Sequence, residues 1–142
     1  MKVQVQRLPH ARDMPLPSYA KPGDAGLDIH AAEDKALKAG ETTTVKTGLC
    51  MAIPQGCVGL IWDRSGLAAR DAVHTLAGVV DAGYRGEIQV VLRNAGGREF
   101  AITRGMRIAQ LLIQPVVKAE LEESSSLDKT ARNEDGFGSS GR

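Results

Sequence analysis

The sequence predicts an all-β barrel or sandwich with one short helix and a flexible C-terminal arm. Short runs of alternating apolar and polar residues recur between turn clusters, one stretch has helical composition, and the last residues lose their apolar content. Val3 to Leu8 is the first alternating run, and Met1-Lys2-Val3-Gln4-Val5 reads as its start rather than as a signal peptide. His10 to Tyr19, with Pro15 and Pro17, reads as an extended connector. Thr42 to Leu49 alternates, with Thr43, Val45 and Thr47 on one face, and Met51 to Ile53 and Val58 to Trp62 flank a Pro54-Gln55-Gly56 turn. Alternation turns Trp62 away from Asp63 and assigns it to the core. Ser65 reads as the N-cap of a helix of about two turns through Gly66-Leu67-Ala68-Ala69-Arg70, since Ala and Leu are good helix formers. Val79-Val80 ends one strand and Ile88, Val90 and Leu92 line one face of the next, joined as a hairpin. Phe100 to Thr103, Ile108 to Ile113 and Val116 to Leu121 complete the β runs. From Glu122 onward only Leu127 and Phe137 are large and apolar, too little to offset ordering. Residues 1–121 therefore read as the β domain and 122–142 as an arm.

The chain has 142 residues, enough for one domain with a real core. Lys and Arg number 18 against 17 Asp and Glu, so no general basicity supports stable binding to nucleic acid or a membrane surface. No apolar run approaches the roughly 20 residues of a membrane span. Cys50 and Cys57 flank one turn, and His10, His30 and His74 are scattered. None has zinc-site spacing, and the cysteines read as reduced thiols of a cytoplasmic protein. Any metal should be a hard cation met by oxygen.

Five clusters remain once core and connectors are set aside. Gly78-Val79-Val80-Asp81-Ala82-Gly83-Tyr84-Arg85-Gly86 places an acid and an aromatic in a glycine-rich turn, either scaffolding or a small-ligand site. Asp24-Ala25-Gly26-Leu27-Asp28 carries two carboxylates that suit a plain turn or a hydrated Mg2+. Asp63-Arg64-Ser65-Gly66 enters the helix, where free N–H groups and a guanidinium suit phosphate or serve only as a cap. In Arg107-Ile108-Ala109-Gln110-Leu111, alternation sets Gln110 opposite its apolar neighbours. Gly136-Phe137-Gly138-Ser139-Ser140-Gly141, with Arg132 upstream, offers an aromatic for stacking and hydroxyls for phosphate.

In this order and spacing the five clusters resemble the trimeric dUTPase family over essentially the whole chain. The resemblance implies a jelly-roll-like β subunit, a homotrimer with shared active sites, and Mg2+-dependent hydrolysis of dUTP to dUMP and pyrophosphate by water attack on the α-phosphorus. By similarity, Asp81 positions and deprotonates that water, and Tyr84 lies under the deoxyribose. Backbone around Thr75, Gly78 and Val79 reads the uracil. Arg64, Ser65, Gly66 and Gln110 hold phosphates, and Asp28 meets Mg2+ through water. Arg132, Ser139 and Ser140 meet the distal phosphates, with Phe137 and Gly138 closing over the base. The chain departs from the family pattern at Thr75, where many members have Asn, and at Asn133 and Asp135, where Gly is usual. Asn and Asp tolerate left-handed backbone better than other non-Gly residues.

A dCTP deaminase-type enzyme of the same superfamily is the near alternative. It requires a Glu on the strand after the turn, where this chain has Val91. A non-catalytic nucleotide-binding regulator is the other.

Overall fold

The computed structural model describes residues 1–131, 133 and 134. In chain order the elements are β1 (Gln4–Arg7), β2 (Leu27–His30), β3 (Lys35–Leu37), β4 (Thr42–Ala52), β5 (Cys57–Trp62), α1 (Ser65–Asp71), β6 (Val73–Leu76), β7 (Val79–Val80), β8 (Ile88–Asn94), β9 (Phe100–Ile102) and β10 (Arg107–Pro115). One antiparallel sheet has the order β1-β4-β8-β6, a second has β2-β10-β5-β7, and β3 pairs with β9. The result is a jelly-roll-like β-sandwich.

Period-two alternation builds the core. Val45, Ile88, Val90 and Leu92 of the first sheet and Ile29, Ile61 and Leu111 of the second are buried in one cluster, which Leu37 and Ile102 of the β3–β9 pair complete. Buried polar groups inside it are matched, as they must be to avoid a desolvation cost. The Asn94 amide nitrogen donates to the carbonyls of Leu37 and Arg98, and its oxygen accepts from the N–H of Gly96. The Thr47 hydroxyl donates to the Ile88 carbonyl.

The predicted runs Thr42 to Leu49 and Met51 to Ile53 join into the single strand β4. Alternation continues through it, with Val45, Thr47, Leu49 and Met51 all facing inward. The register against β8 slips between Lys46 and Leu49, and the connector docks at that bulge. Gly48 there has φ +68°, and a Cβ on it would lie 2.0 Å from the Ala11 Cβ. The Leu8 N–H donates to the Gly48 carbonyl at 2.8 Å. The connector is therefore not simply extended: Pro9–Ala11 forms a turn of 3-10 helix, and Ala11 and Met14 pack with Ala32.

Four expectations are corrected. Ser65 is the first helical residue rather than the cap; Arg64 occupies the N-cap position, with extended backbone and no side-chain cap. The guanidinium of Arg64 is drawn instead toward β2, as described below. Val116 to Leu121 is not a strand: after the Val116 N–H bonds to Gly56 the chain leaves the sheet, and Val117 and Leu121 are exposed. Trp62 is 58% exposed, because β5 turns Ile61 inward and Trp62 outward. β7 and β8 are not hairpin partners, since they belong to different sheets. Cys50 and Cys57 are free thiols, as expected.

Gly48→Ala should destabilise the fold by about 3 kcal/mol, combining left-handed strain with overpacking. Gly97→Ala, where an added Cβ meets nothing within 4 Å, serves as the control. Urea denaturation compares them; equal midpoints would contradict this account of the bulge.

Candidate active site

β6 pairs with β8, whereas β7 pairs with β5, so the chain changes sheet twice between Leu76 and Ile88. The first change is made at Ala77 and Gly78, both in positive φ. Gly78, at φ +124°, presses on β5: an added Cβ would stand 2.7 Å from the Ile61 Cβ and 2.9 Å from its carbonyl oxygen. The Ile61 N–H donates to the Gly78 carbonyl at 2.8 Å. No side chain fits there without moving backbone.

This double crossing opens a cleft of about 250 Å3, lined by Leu76, Gly78, Val79, Asp81, Tyr84 and Val91 among others. Asp81 is exposed at the turn, and the Tyr84 N–H donates to its carbonyl at 3.0 Å. The Tyr84 hydroxyl donates to the Glu87 carbonyl at 2.9 Å and lies across Gly86, where a Cβ would approach it to 2.5 Å. The Glu87 carboxylate also borders the cleft but is engaged elsewhere. One of its oxygens accepts the Gly48 N–H at 2.8 Å and lies 3.1 Å from Nε2 of His10. The acid left available to a ligand is Asp81, whose carboxylate takes no hydrogen bond from the described residues.

A second cleft, of about 270 Å3, is lined by Asp24, Gly26, Asp28, Arg64 and Gln110 among others. Asp28, on β2, is only 7% exposed. Arg107 Nη1 donates to its Oδ2 at 3.0 Å, and Arg64 Nε lies 3.2 Å from its Oδ1. The Arg64 contact is one of charge, because Nε is out of line for a hydrogen bond and remains buried without an acceptor. Arg64 Nη1 reaches the Arg107 carbonyl at 3.5 Å. Gln110 pairs with Asp28 on one side and Trp62 on the other. Its amide sits over Gly26, where a Cβ would meet Oε1 at 2.3 Å. Arg64 in the lining and Arg107 beside Asp28 balance the carboxylates of Asp28 and Asp24, and their fork-shaped donors suit phosphate. Among the described residues no group of three His, Cys, Asp or Glu could hold a metal ion. Asp28, with both oxygens facing guanidiniums, fits a divalent ion only as an outer-sphere partner.

The predicted site residues thus fall into two groups. Asp81, Gly78, Val79 and Tyr84 line the first cleft; Asp28, Arg64 and Gln110 line the second, with Ser65 and Gly66 beside it at the start of α1. No described residue lines both. Thr75 lines neither: its N–H and hydroxyl both donate to Asp63 Oδ1, at 2.5 and 2.7 Å. Arg132, Phe137, Gly138, Ser139 and Ser140 lie outside the described residues. Asn133 has φ +41°, the left-handed backbone that an Asn tolerates in place of Gly. Sequence reasoning missed the roles of Asp63, Glu87 and His10, and gave Arg107 none of its own. Their partners lie far along the chain, and no local spacing signals them.

His30 lies on β2 beyond Asp28. Burial lowers its pKa from the ordinary 6.5; the Asp28 carboxylate partly restores it, and Arg107 and Arg64 depress it further. The unfolded chain therefore takes up this proton first as pH falls. The His30 contribution to stability is complete above the unfolded value and is lost as pH falls through about 6.5 toward the folded value. Thermal melts between pH 8 and 5 should show a steeper acid decline for the wild type than for His30→Gln. Parallel declines would refute the assignment.

Comparison with known proteins agrees with this geometry. The dUTPase family model matches residues 12–141. A deoxyuridine 5'-triphosphate nucleotidohydrolase of Anaplasma marginale is 46% identical over 145 residues, covering 99% of each chain. One from Thermobifida fusca is 49% identical over 144 residues, covering 99% of this chain and 79% of its own. The Staphylococcus bacteriophage 80alpha dUTPase, solved with dUPNHPP, superposes with a TM-score of 0.90 at 30% identity, covering 99% of both chains. A mutant dUTPase from phage phi11 of S. aureus, whose structure is described as revealing the coordination of a structural Mg(II) ion, superposes with a TM-score of 0.81 at 27% identity, covering 89% of this chain and 98% of its own. The match of the dUTPase family model over most of the sequence, together with these relatives, shows that the chain belongs to the dUTPase family, enzymes that hydrolyse dUTP.

Proposed function

We propose that the chain cleaves dUTP to dUMP and pyrophosphate at sites shared between copies of a homotrimer, with Mg2+ carried by the triphosphate. The observation that carries this reading is the separation of the two clefts. No described residue lines both, so we assign Asp81 and the Arg64 pocket of one reaction to different copies of the chain. The outer face of the second sheet supports such a contact: Trp62 and Val79 are 58% and 69% exposed, and Leu60 lies between β10 and β7 beside them. Exposed aromatic and aliphatic side chains in one patch are typical of subunit interfaces. The resulting supply of dUMP and removal of dUTP would serve nucleotide metabolism in the cytoplasm, a setting that the two free thiols suit.

Asp81 holds the attacking water and accepts its proton. Its contribution comes mainly from holding water in line with the leaving pyrophosphate. Tyr84, fixed across Gly86 by its hydrogen bond to Glu87, presents its ring to the sugar and leaves no room for a 2'-hydroxyl. The backbone of Leu76 to Val79 meets the uracil edge. Arg64, Ser65, Gly66 and Gln110 hold the phosphates. Bound with the triphosphate, Mg2+ would neutralise charge and orient the phosphate chain, and Asp28 would hold it through water. Arg132, Ser139 and Ser140 meet the distal phosphates, and Phe137 with Gly138 closes over the base. The aliphatic Val91 in the cleft wall gives deamination no proton shuttle.

Asp81→Asn should leave dUTP binding nearly intact and lower kcat by at least about a thousandfold, because a transition-state role is removed. Pyrophosphate release beside calorimetric binding of a non-hydrolysable analogue measures both. A near-normal kcat would end this assignment. Deleting residues 132–142 should keep the melting temperature within a few degrees while nearly abolishing turnover. Full activity in the truncated chain would remove the arm from the mechanism.

A further inference from the structure

We infer that Asp63 is a positioning residue that locks the base-reading crossover to the entry of the phosphate-gripping helix. The inference rests on the proposal that uracil lies against the backbone of Leu76 to Val79.

β6 is the edge strand of its sheet and is paired on one side only, with His74 opposite Arg93 and Thr75 opposite Leu92. Immediately after it the chain enters the two positive-φ residues Ala77 and Gly78 that form the cleft wall. An edge strand leading into such a turn has little to hold its outer side. Asp63 supplies that hold. A single oxygen of its carboxylate receives both the outward N–H of Thr75, at 2.5 Å, and the Thr75 hydroxyl, at 2.7 Å. Both bonds are charge-assisted and partly buried, the class that contributes more than neutral pairs. The hydroxyl has only one proton, and it is committed here, so Thr75 acts through Asp63.

Asp63 is equally fixed on its other side. It lies between Trp62, which closes β5, and Arg64, whose guanidinium is drawn to Asp28 in the anion cleft. One carboxylate thus ties the residue just before the base wall to the residue just before the phosphate arginine. A wall that reads a base with main-chain donors and acceptors has no side chain to adjust. Its discrimination depends on where the main chain is held, and a shift of a few tenths of an ångström degrades every hydrogen bond at once.

The test compares Asp63→Ala, Asp63→Asn and Thr75→Val in the full-length enzyme, with kcat/KM measured for dUTP and dCTP. Asp63→Ala should raise KM for dUTP and lower the dUTP-over-dCTP ratio by about tenfold, with kcat falling less than about threefold. Asp63→Asn keeps an acceptor oxygen for both donors and should restore most of the ratio. Thr75→Val keeps the N–H bond and the strand preference, so it should fall between, and it stays informative if Asp63→Ala folds poorly. The double variant with Asp63→Ala should add little to the single change.

An unchanged ratio in Asp63→Ala and Thr75→Val would overturn the inference, as would equal losses on dUTP and dCTP, which mark general loosening. The underlying reading is checked separately by titrating the wild type with dUMP and following backbone amide signals of Leu76 to Val79. Unmoved signals would sink the base-site proposal itself, whereas moved signals with an unchanged ratio would sink only the role of Asp63.

Discussion

The close approach of Gly78 to Ile61 is the constraint on which the site depends. A Cβ at Gly78 would sit inside the contact distance of Ile61 backbone and side chain alike. Because that Cβ is missing, the two-residue strand β7 can leave the sheet that holds β6 and β8 and join β5. The chain must then cross back before Ile88, and the gap it spans is the cleft. Asp81 and Tyr84 sit on the return path, with Tyr84 tied to the Glu87 carbonyl and Glu87 tied to the β4 bulge at Gly48. The two glycine contacts therefore act in series: one opens the cleft, and the other anchors the strand that receives the chain.

The second cleft depends on a different balance. A carboxylate as buried as Asp28 is costly unless paired, and breaking a buried pair typically costs about 3–5 kcal/mol. Asp28 is faced by two guanidiniums, which satisfy it. That placement concentrates guanidiniums locally in a chain whose net charge is only +1. It also accounts for the helix boundary, since Arg64 stays extended to reach Asp28 rather than entering α1. The proposed grip on phosphate therefore rests on the placement of Arg64 and Arg107 and not on general basicity.

Strongly periodic segments were legible in the sequence: β4, β5, β8 and β10 all follow from alternation over several residues. Of the three- and four-residue strands, β1 and β9 were legible as alternating runs, whereas β2, β3 and β6 were not. Alternation tells which residues share a face but not which face is inside, and Trp62 fell on the outer one for that reason. Nor does it assign a strand to a sheet, so Val79-Val80 and Ile88 to Leu92 looked like hairpin partners when they are not. Asp81, Tyr84, Arg64 and Gln110 were recognisable as parts of one chemistry because glycine-rich turns, a helix entry and an off-pattern polar residue have local signatures. Their division into two clefts was not, because it follows from tertiary register. The same holds for the ties of Asp63 to Thr75 and Glu87 to His10, whose partners are 12 and 77 residues apart.

The central claim is that the acid and the arginines of one reaction come from different copies of the chain, and subunit mixing tests it directly. Asp81→Asn and Arg64→Gln chains, each inactive alone, would be unfolded together and refolded as a one-to-one mixture. If Asp81 of one copy works with Arg64 of another, about a quarter of the sites in randomly mixed trimers combine an intact acid with an intact arginine. Pyrophosphate release from dUTP should then recover to a comparable fraction of wild-type activity. A mixture no more active than its parents, with mixed trimers demonstrated by mass, would contradict the account and place both groups in a single copy's site.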